Sequence, residues 1–361
     1  MKLPISVCVI ARNEEKHIKE CIQSAQKWMN EVIVLDTGST DRTPTIVSEE
    51  GGIIKKSEWK NDFAAARNQV ITYASQPFIL MMDADERLLD LDVSNVLKEL
   101  HELNLNRKRA GKVEIQNVLD HGIMKTSIVR LFPNDSGFAY TGLIHEQLQH
   151  KSSFPETHQT SLKIIHYGYS TNHIDGKDKI NRNLELLHKQ NQEKPEDAYT
   201  LFQLGRTYSV NAEYDQSISY LEMAYRCSSQ QNSYHPSIIY SLCKVYLKEK
   251  KWRELFNLIE ASLITYPLYT DLYYIYGCAL IEIRTIDSFD LLPQAFTKCI
   301  ELGEVDSTIF ETESGVGTFL PHYNLGLYYE LLMKLDEARY HYKKSSEFGF
   351  ELAKNRLTQL T

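Results

Sequence analysis

The sequence predicts an α/β domain over residues 1–168, a connecting helix over 169–194, and an all-α array of repeated helical hairpins over 195–361. Three observations predict it. Up to about residue 167, short β-branched runs alternate with helical stretches, the pattern of a sheet covered by its connecting helices. Beyond that point strand signals vanish and tyrosines crowd into helical periodicities. Within that second region one motif recurs with fixed downstream offsets, the mark of a repeat architecture.

In the first domain, residues 5–10 read as a buried strand, 14–29 as a helix and 31–35 as a second strand. A helix over 43–50 follows with Pro44 near its start, then a third strand around Ile53 and Ile54, a helix over 63–74 and a strand over 78–82. This alternation implies a largely parallel sheet that binds ligands outside the carboxyl ends of its strands.

In the second domain, Leu204-Gly205-x-x-Tyr208 is followed by Ser217, Leu221 and Ala224, and Leu325-Gly326-x-x-Tyr329 by Ala338, Tyr342 and Ser345 at identical offsets. Leu242-Cys243-x-x-Tyr246 fits the same template through Leu255, Ile259, Ser262 and Pro267. A fourth copy at Tyr276-Gly277-x-x-Leu280 and Ala295 fits with an insertion near Ser288-Phe289-Asp290. The pattern resembles the tetratricopeptide repeat. Such units bury their faces by stacking, and the stack leaves a groove suited to a peptide segment. Pro195 opens the first repeat, so the second domain is expected to read an acceptor or partner.

Composition narrows the class. The chain is 42% hydrophobic and 24% charged, which suits a globular protein, and its net charge of −8 argues against nucleic acid as a partner. Arg107-Lys108-Arg109 reads as a solvated loop. Six cysteines are scattered without a CxxC pair, implying a reducing compartment. No run approaches the ~20 apolar residues of a membrane span, so a cytoplasmic protein without a transmembrane segment is expected.

The chemistry gathers at strand ends. Asp83 and Asp85 close an apolar run, and period-2 alternation would put both carboxylates on one side of the strand end. Two converging carboxylates suit Mg²⁺ or Mn²⁺ held together with substrate phosphates. Ile10-Ala11-Arg12-Asn13, the run from Asp36 to Asp41, and Asn61-Asp62-Phe63 with Arg67-Asn68 should meet them at the same edge. Asp36 can accept from a heterocycle N–H, while Asp41 and Thr43 read as caps of the following helix. Arg67 suits a base carbonyl or a phosphate, or else an ion pair with Glu58 or Asp62.

Rival motifs fail on spacing. Neither GxGxxG nor GxxxxGK occurs. His145 and His150 are five apart rather than four, so a helix would turn them away from each other. An aspartyl phosphatase commonly carries a small hydroxyl residue where this chain has Arg87.

Taken in order, Arg12-Asn13-Glu14-Glu15, Asp36-Thr37-Gly38-Ser39-Thr40-Asp41, Asn61-Asp62-Phe63 with Arg67-Asn68, and Asp83-Ala84-Asp85 resemble glycosyltransferase family 2, of the GT-A fold, over residues 4–168. With the repeat tail, the chain is similar to the SunS-type bacteriocin glycosyltransferases. The resemblance implies a UDP-sugar donor and a Mn²⁺ or Mg²⁺ ion. Ile10, Arg12, Asp36 and Arg67 would line the uracil, Asp83 would approach the ribose or the metal, and Ala11 and Ala84 would also bind the donor. Asp85 and His166 would ligate that metal, and Glu146, in Gly142-Leu143-Ile144-His145-Glu146, would be the general base. Many relatives carry Tyr where this chain has Arg12.

The expected reaction is an inverting transfer of a hexose, glucose foremost, to a Cys or Ser side chain of a peptide held partly by the repeats. Two alternatives stand beside it: the same module acting on a cell-envelope glycan or lipid-linked sugar, and an inactive repeat scaffold. A homodimer is a further expectation.

Overall fold

A computed structural model describes residues 2–119, 122–134, 136–167 and 173–360, so the expected boundary at 168/169 lies outside the described residues. The chain divides into two compact units, Met1–Lys194 and Pro195–Thr361.

The first unit runs β1 (Leu3–Ala11), α1 (Ile18–Gln26), β2 (Met29–Asp36), α2 (Thr43–Glu49), β3 (Ile53–Lys56), α3 (Phe63–Ile71), β4 (Phe78–Asp83) and β5 (Glu86–Leu88). It continues through α4 (Val93–Leu105), β6 (Arg109–Leu119), β7 (Gly122–Pro133), β8 (Phe138–Thr141), β9 (Gln147–His150), β10 (Glu156–His166) and α5 (His173–Glu193). Its main sheet has the order β3-β2-β1-β4-β7-β6-β10-β5, while β8 and β9 pair separately. The apolar residues of β1, β2 and β4 are buried on both faces, which is why these strands read as near-continuous hydrophobic runs rather than alternating ones.

Two expectations need correcting. The sheet is mixed: β3, β2, β1 and β4 are parallel neighbours, but β7 runs antiparallel to both β4 and β6. The helix expected over 14–29 is only α1, because residues 14–17 form a turn pinned to the next loop: Glu14 N–H donates to Thr43 Oγ1 at 2.7 Å and Glu15 N–H to Asp41 at 3.1 Å. Met29 belongs to β2, fully buried beneath it.

Register sets the positions of the strand ends. Ala11 pairs with Asp36 across β1 and β2, Asp36 pairs with Lys56 across β2 and β3, and Ile10 pairs with Asp83 across β1 and β4. All four parallel strands therefore finish at the same edge. The strand order reverses at β1, whose neighbours are β2 and β4, and such a switch point opens a crevice at the carboxyl ends.

The second unit is α6 (Ala198–Val210), α7 (Tyr214–Cys227), α8 (His235–Lys248), α9 (Trp252–Thr265), α10 (Thr270–Ile283), α11 (Ile286–Leu302), α12 (Phe319–Leu331), α13 (Leu335–Glu347) and α14 (Glu351–Gln359). These form tetratricopeptide-like hairpins, α6–α7, α8–α9, α10–α11 and α12–α13, followed by α14. The three downstream helical positions of the template are buried in the first, second and fourth hairpins, from Ser217, Leu221 and Ala224 to Ala338, Tyr342 and Ser345, while Pro267 at the end of the second is exposed. Eight residues after each motif's first position the backbone takes a left-handed conformation, at Ala212, Lys250, Arg284 and Met333. That shared turn identifies the fourth copy independently of side-chain identity.

The motif glycines explain their own spacing. A Cβ at Gly205 would lie 2.5 Å from Leu221, and one at Gly326 would lie 2.5 Å from Tyr342, so only glycine lets the paired helices approach this closely. In the third hairpin Gly277 meets Phe296, three residues later than the template requires. The expected insertion is absorbed inside α11, which has 17 residues against 14 in α7.

Candidate active site

Asp36 ends β2 and is buried, and its carboxylate accepts the N–H of Ser39 at 3.2 Å. This fixes the loop that follows, while Asn13 from the β1 loop, itself at positive φ, exchanges hydrogen bonds with Ser39 and Thr40. The expected caps are not found at α2, where Arg42 is the N-cap without a side-chain cap bond and Thr43 Oγ1 accepts from Glu14 N–H, but Asp41 accepts from Thr43 N–H at 2.9 Å. Burial pushes its carboxyl up, but these hydrogen bonds outweigh that and leave its pKa lowered. Ala11 is buried, Ile10 half-buried and Arg12 exposed at the lip.

Arg67 is brought in by α3, whose first turn is capped by Asp62 accepting from Ala65 N–H at 2.8 Å. Asp62 is thereby committed to the cap, and Arg67 points inward to other partners. Its Nη2 donates to Asp83 Oδ1 at 2.7 Å and its Nε donates to Glu146. A second guanidinium, Arg130 on β7, donates to Asp83 Oδ2 at 3.0 Å and to Glu86 Oε1 at 3.3 Å. Burial raises the Asp83 carboxyl, yet Arg130 and Arg67 together hold it well below the usual carboxylate range. Burial pushes Glu86 the other way, up to about 7, against the pull of Arg130.

Asp83 and Asp85 thus have different partners rather than converging on one side of the strand end. Strand β4 ends at Asp83, Ala84 and Asp85 form a turn, and the chain re-enters a strand at Glu86. Period 2 does not carry through a turn. Asp85 Oδ2 lies 3.2 Å from His166 Nε2, and His166 Nδ1 lies 2.9 Å from Asn117 Oδ1. Both ring nitrogens face oxygen acceptors, so the ring that donates at both is favoured, and a divalent ion would take the place of the Nε2 proton while Nδ1–H stays on Asn117. His166 is pulled down by burial but raised overall by its hydrogen bond to Asp85. A carboxylate and an imidazole oriented by its second nitrogen fit a two-residue hold on Mn²⁺ or Mg²⁺ whose other ligands are diphosphate and water. Among the described residues no group of three or more such side chains could hold an ion alone.

Glu146 sits in the loop between β8 and β9, which is tied to its surroundings at several points. Phe63 N–H donates to Leu143 O at 2.9 Å, Leu143 N–H donates to Gln190 on α5 at 3.1 Å, and Asn68 holds both the N–H and the carbonyl of Tyr140. His145 takes a positive φ of 50° in this loop, while His150 lies in β9, so the two histidines share no helix.

Sequence reasoning does not reach Arg130, Glu86, Asn117 and Tyr140. Arg130 had a signal, a lone charge inside the apolar run Ile128-Val129-Arg130-Leu131-Phe132. Tyr140 is buried beneath Arg67, 5.5 Å from guanidinium carbon to ring centre, with its hydroxyl pushed up to about 12 by burial.

Residues 6–120 match the family Glycosyl transferase family 2. Over 288 residues the chain is 27% identical to the SPbeta prophage-derived glycosyltransferase SunS of Bacillus subtilis (strain 168), covering 77% of this chain and 67% of that one. It is 32% identical over 209 residues to a TPR repeat-containing protein of Synechococcus elongatus, covering 56% and 51%. A match to the lipopolysaccharide core biosynthesis glycosyltransferase LpsC of Rhizobium meliloti is 35% identical over 104 residues, 27% of this chain and 37% of that one. Among solved structures, MamA aligns with a TM-score of 0.40 at 19% identity, over 50% of this chain and 94% of that chain. The family match and the sequence likeness to named glycosyltransferases agree with the motif order: the N-terminal unit carries a glycosyltransferase family 2 domain, the chain is a glycosyltransferase, and tetratricopeptide-like repeats follow that domain.

Proposed function

We propose that this glycosyltransferase moves a hexose, glucose foremost, from a UDP-sugar to a Cys or Ser side chain of a peptide, with inversion at the anomeric carbon. The observation that carries the proposal is the arrangement around Arg67, which joins Asp83 at the strand edge to Glu146 on the loop beyond it. Ile10, Ala11, Arg12, Asp36 and Arg67 are assigned to the uracil side. Asp83 and Ala84 are assigned to the ribose, since both Asp83 oxygens are already engaged by guanidiniums. Asp85 and His166 would hold the divalent ion, which when bound offsets negative charge on the departing UDP.

Glu146 is assigned as the base that removes the acceptor's proton, and Arg67 fixes where its carboxylate stands. The peptide acceptor is supported by the repeat unit and by the likeness to SunS. The likeness to LpsC supports a second reading, transfer to a cell-envelope glycan. Among the described residues no helix is long and apolar enough to cross a membrane, and a cytoplasmic location would give access to UDP-sugars.

The test is UDP-glucose hydrolysis, with and without Mn²⁺, in the wild type and in Asp85→Ala. Metal-stimulated turnover lost in the folded variant is expected, and full activity there would sink the assignment. Supplying a Cys- or Ser-containing peptide and an envelope glycan side by side separates the two acceptor readings.

A further inference from the structure

Each motif glycine faces the second helix of its own hairpin, so the next residue, about 100° farther around the first helix, faces away from that partner. This position is Arg206 on α6, Cys278 on α10 and Leu327 on α12, and on α8, where Cys243 stands in place of the glycine, it is Lys244. Both basic residues meet a segment that belongs to no hairpin, residues 303–318 between α11 and α12. Arg206 reaches the Glu311 carboxylate with two nitrogens at 3.1 and 3.4 Å, and Lys244 Nζ lies 3.3 Å from Glu313.

On α10, Asp271 accepts from Thr312 Oγ1 at 2.8 Å and from Glu313 N–H at 2.9 Å. Tyr269, just before α10, donates its hydroxyl to Glu311 O at 2.6 Å and stacks on Phe310 at 4.3 Å. Glu311 and Thr312 are 6% and 2% exposed. The segment is held as a bound peptide would be, with backbone groups and alternate acidic side chains both read out.

Its base is closed on itself. Glu304 Oε1 accepts from Gly315 N–H, Gly317 N–H and Thr318 Oγ1, and a Cβ on Gly317 would fall 2.0 Å from the Gly303 carbonyl carbon. Gly303 and Gly315 both take positive φ, at 73° and 99°. A loop pinched at its stem can swing out without unwinding the helices it joins. In the Arg206–Glu311 pair the carboxylate is buried but the guanidinium side chain is 38% exposed, so desolvation of Glu311 and solvent screening of Arg206 both reduce the net attraction.

We propose that the face formed by α6, α8 and α10 is a recognition surface for an extended peptide carrying two carboxylates two residues apart, and that residues 303–318 are its built-in occupant, which an incoming peptide displaces. A tethered occupant competes at an effective concentration on the order of millimolar, so the surface is masked against weak ligands.

The test uses the full chain and a fluorescent synthetic peptide of its own residues 305–318. Glu311→Gln with Glu313→Gln is expected to bind that peptide at least tenfold more tightly than the wild type does. Adding Arg206→Gln and Lys244→Gln should remove the gain. No gain in the first variant, or a gain that survives the second pair, overturns the proposal.

Should the first variant fail to fold, amide exchange over 305–318 is read in the wild type. It should rise at least tenfold under saturating peptide and not under the same peptide with Gln for both Glu; unchanged exchange under both overturns the proposal. Neither readout involves sugar transfer, so failure here leaves the transferase reading intact, and failure of that reading leaves this one testable.

Discussion

Arg67 on α3 and Glu146, 79 residues later in the chain, form an ion pair with side chains only 7% and 9% exposed. The pair joins α3, assigned to the donor side, to the loop assigned to the acceptor side. If Glu146 is the base, Glu146→Gln should slow transfer to a Ser acceptor by about 10²-fold or more. A Cys acceptor, whose thiol ionises near pH ~8.5, should suffer less. Steady-state rates on matched Ser and Cys peptides check this, and equal rates for wild type and variant on both remove the role.

Asn117 should matter to metal affinity without touching the metal. Replacing it by Leu frees the His166 ring and its tautomer, and loss of such an orienting partner typically costs about 10- to 100-fold in affinity. Mn²⁺ titration of UDP-glucose hydrolysis should show the midpoint displaced with the maximal rate largely kept. An unchanged midpoint would contradict the assignment of His166.

Gly205→Ala and Gly326→Ala should each destabilise the repeat unit by about 1–3 kcal/mol, because the new methyl collides with Leu221 or Tyr342 in a packed contact. Urea unfolding monitored by helical circular dichroism measures the loss. A comparable stability for either variant would show that the hairpin opens easily.

His341 and His322 give the repeat unit an acid limit. Their Nδ1 atoms are 2.9 Å apart, and burial first, then the neighbouring His322, lowers His341 to about 4. An unfolded histidine titrates near pH ~6.5, so between about pH 4 and 6.5 the unfolded chain binds the extra proton. Stability from this site is therefore present above pH ~6.5 and lost as pH falls through that window. Asp271, pushed up to about 7 by burial, slopes the opposite way, favouring the folded state at lower pH. The comparison must be His341→Gln against the wild type: the variant should lose less stability between pH 7.5 and 5, and parallel curves would exclude the effect.

The legible parts of the chain were those whose signal is local. Strands β1, β2 and β4 announced themselves because they are buried on both faces, and the hairpins because leucine, glycine and tyrosine return at fixed offsets. Asp36 and Asp41 could be read from their place after a strand and before a helix. Arg130, Glu86 and Asn117 could not be placed, since their meeting with Asp83 and His166 depends on the register of long-range pairings, antiparallel for β4–β7 and β7–β6 and parallel for β6–β10. Arg67 was legible as a site residue but not as the partner of Glu146, a contact fixed by how one loop is tied to α3 and α5.

The longer α11 limits how these repeats can change length. Three added residues advance a helix by about 300°, close enough to a full revolution that the face packed on Gly277 stays inward. One added residue, or two, would swing Leu292 and Phe296 out toward water and bring polar neighbours into the stack. Insertions within a hairpin helix are thus tolerated only in near-whole turns, and other length changes must be accommodated in the connections between hairpins, as with residues 303–318.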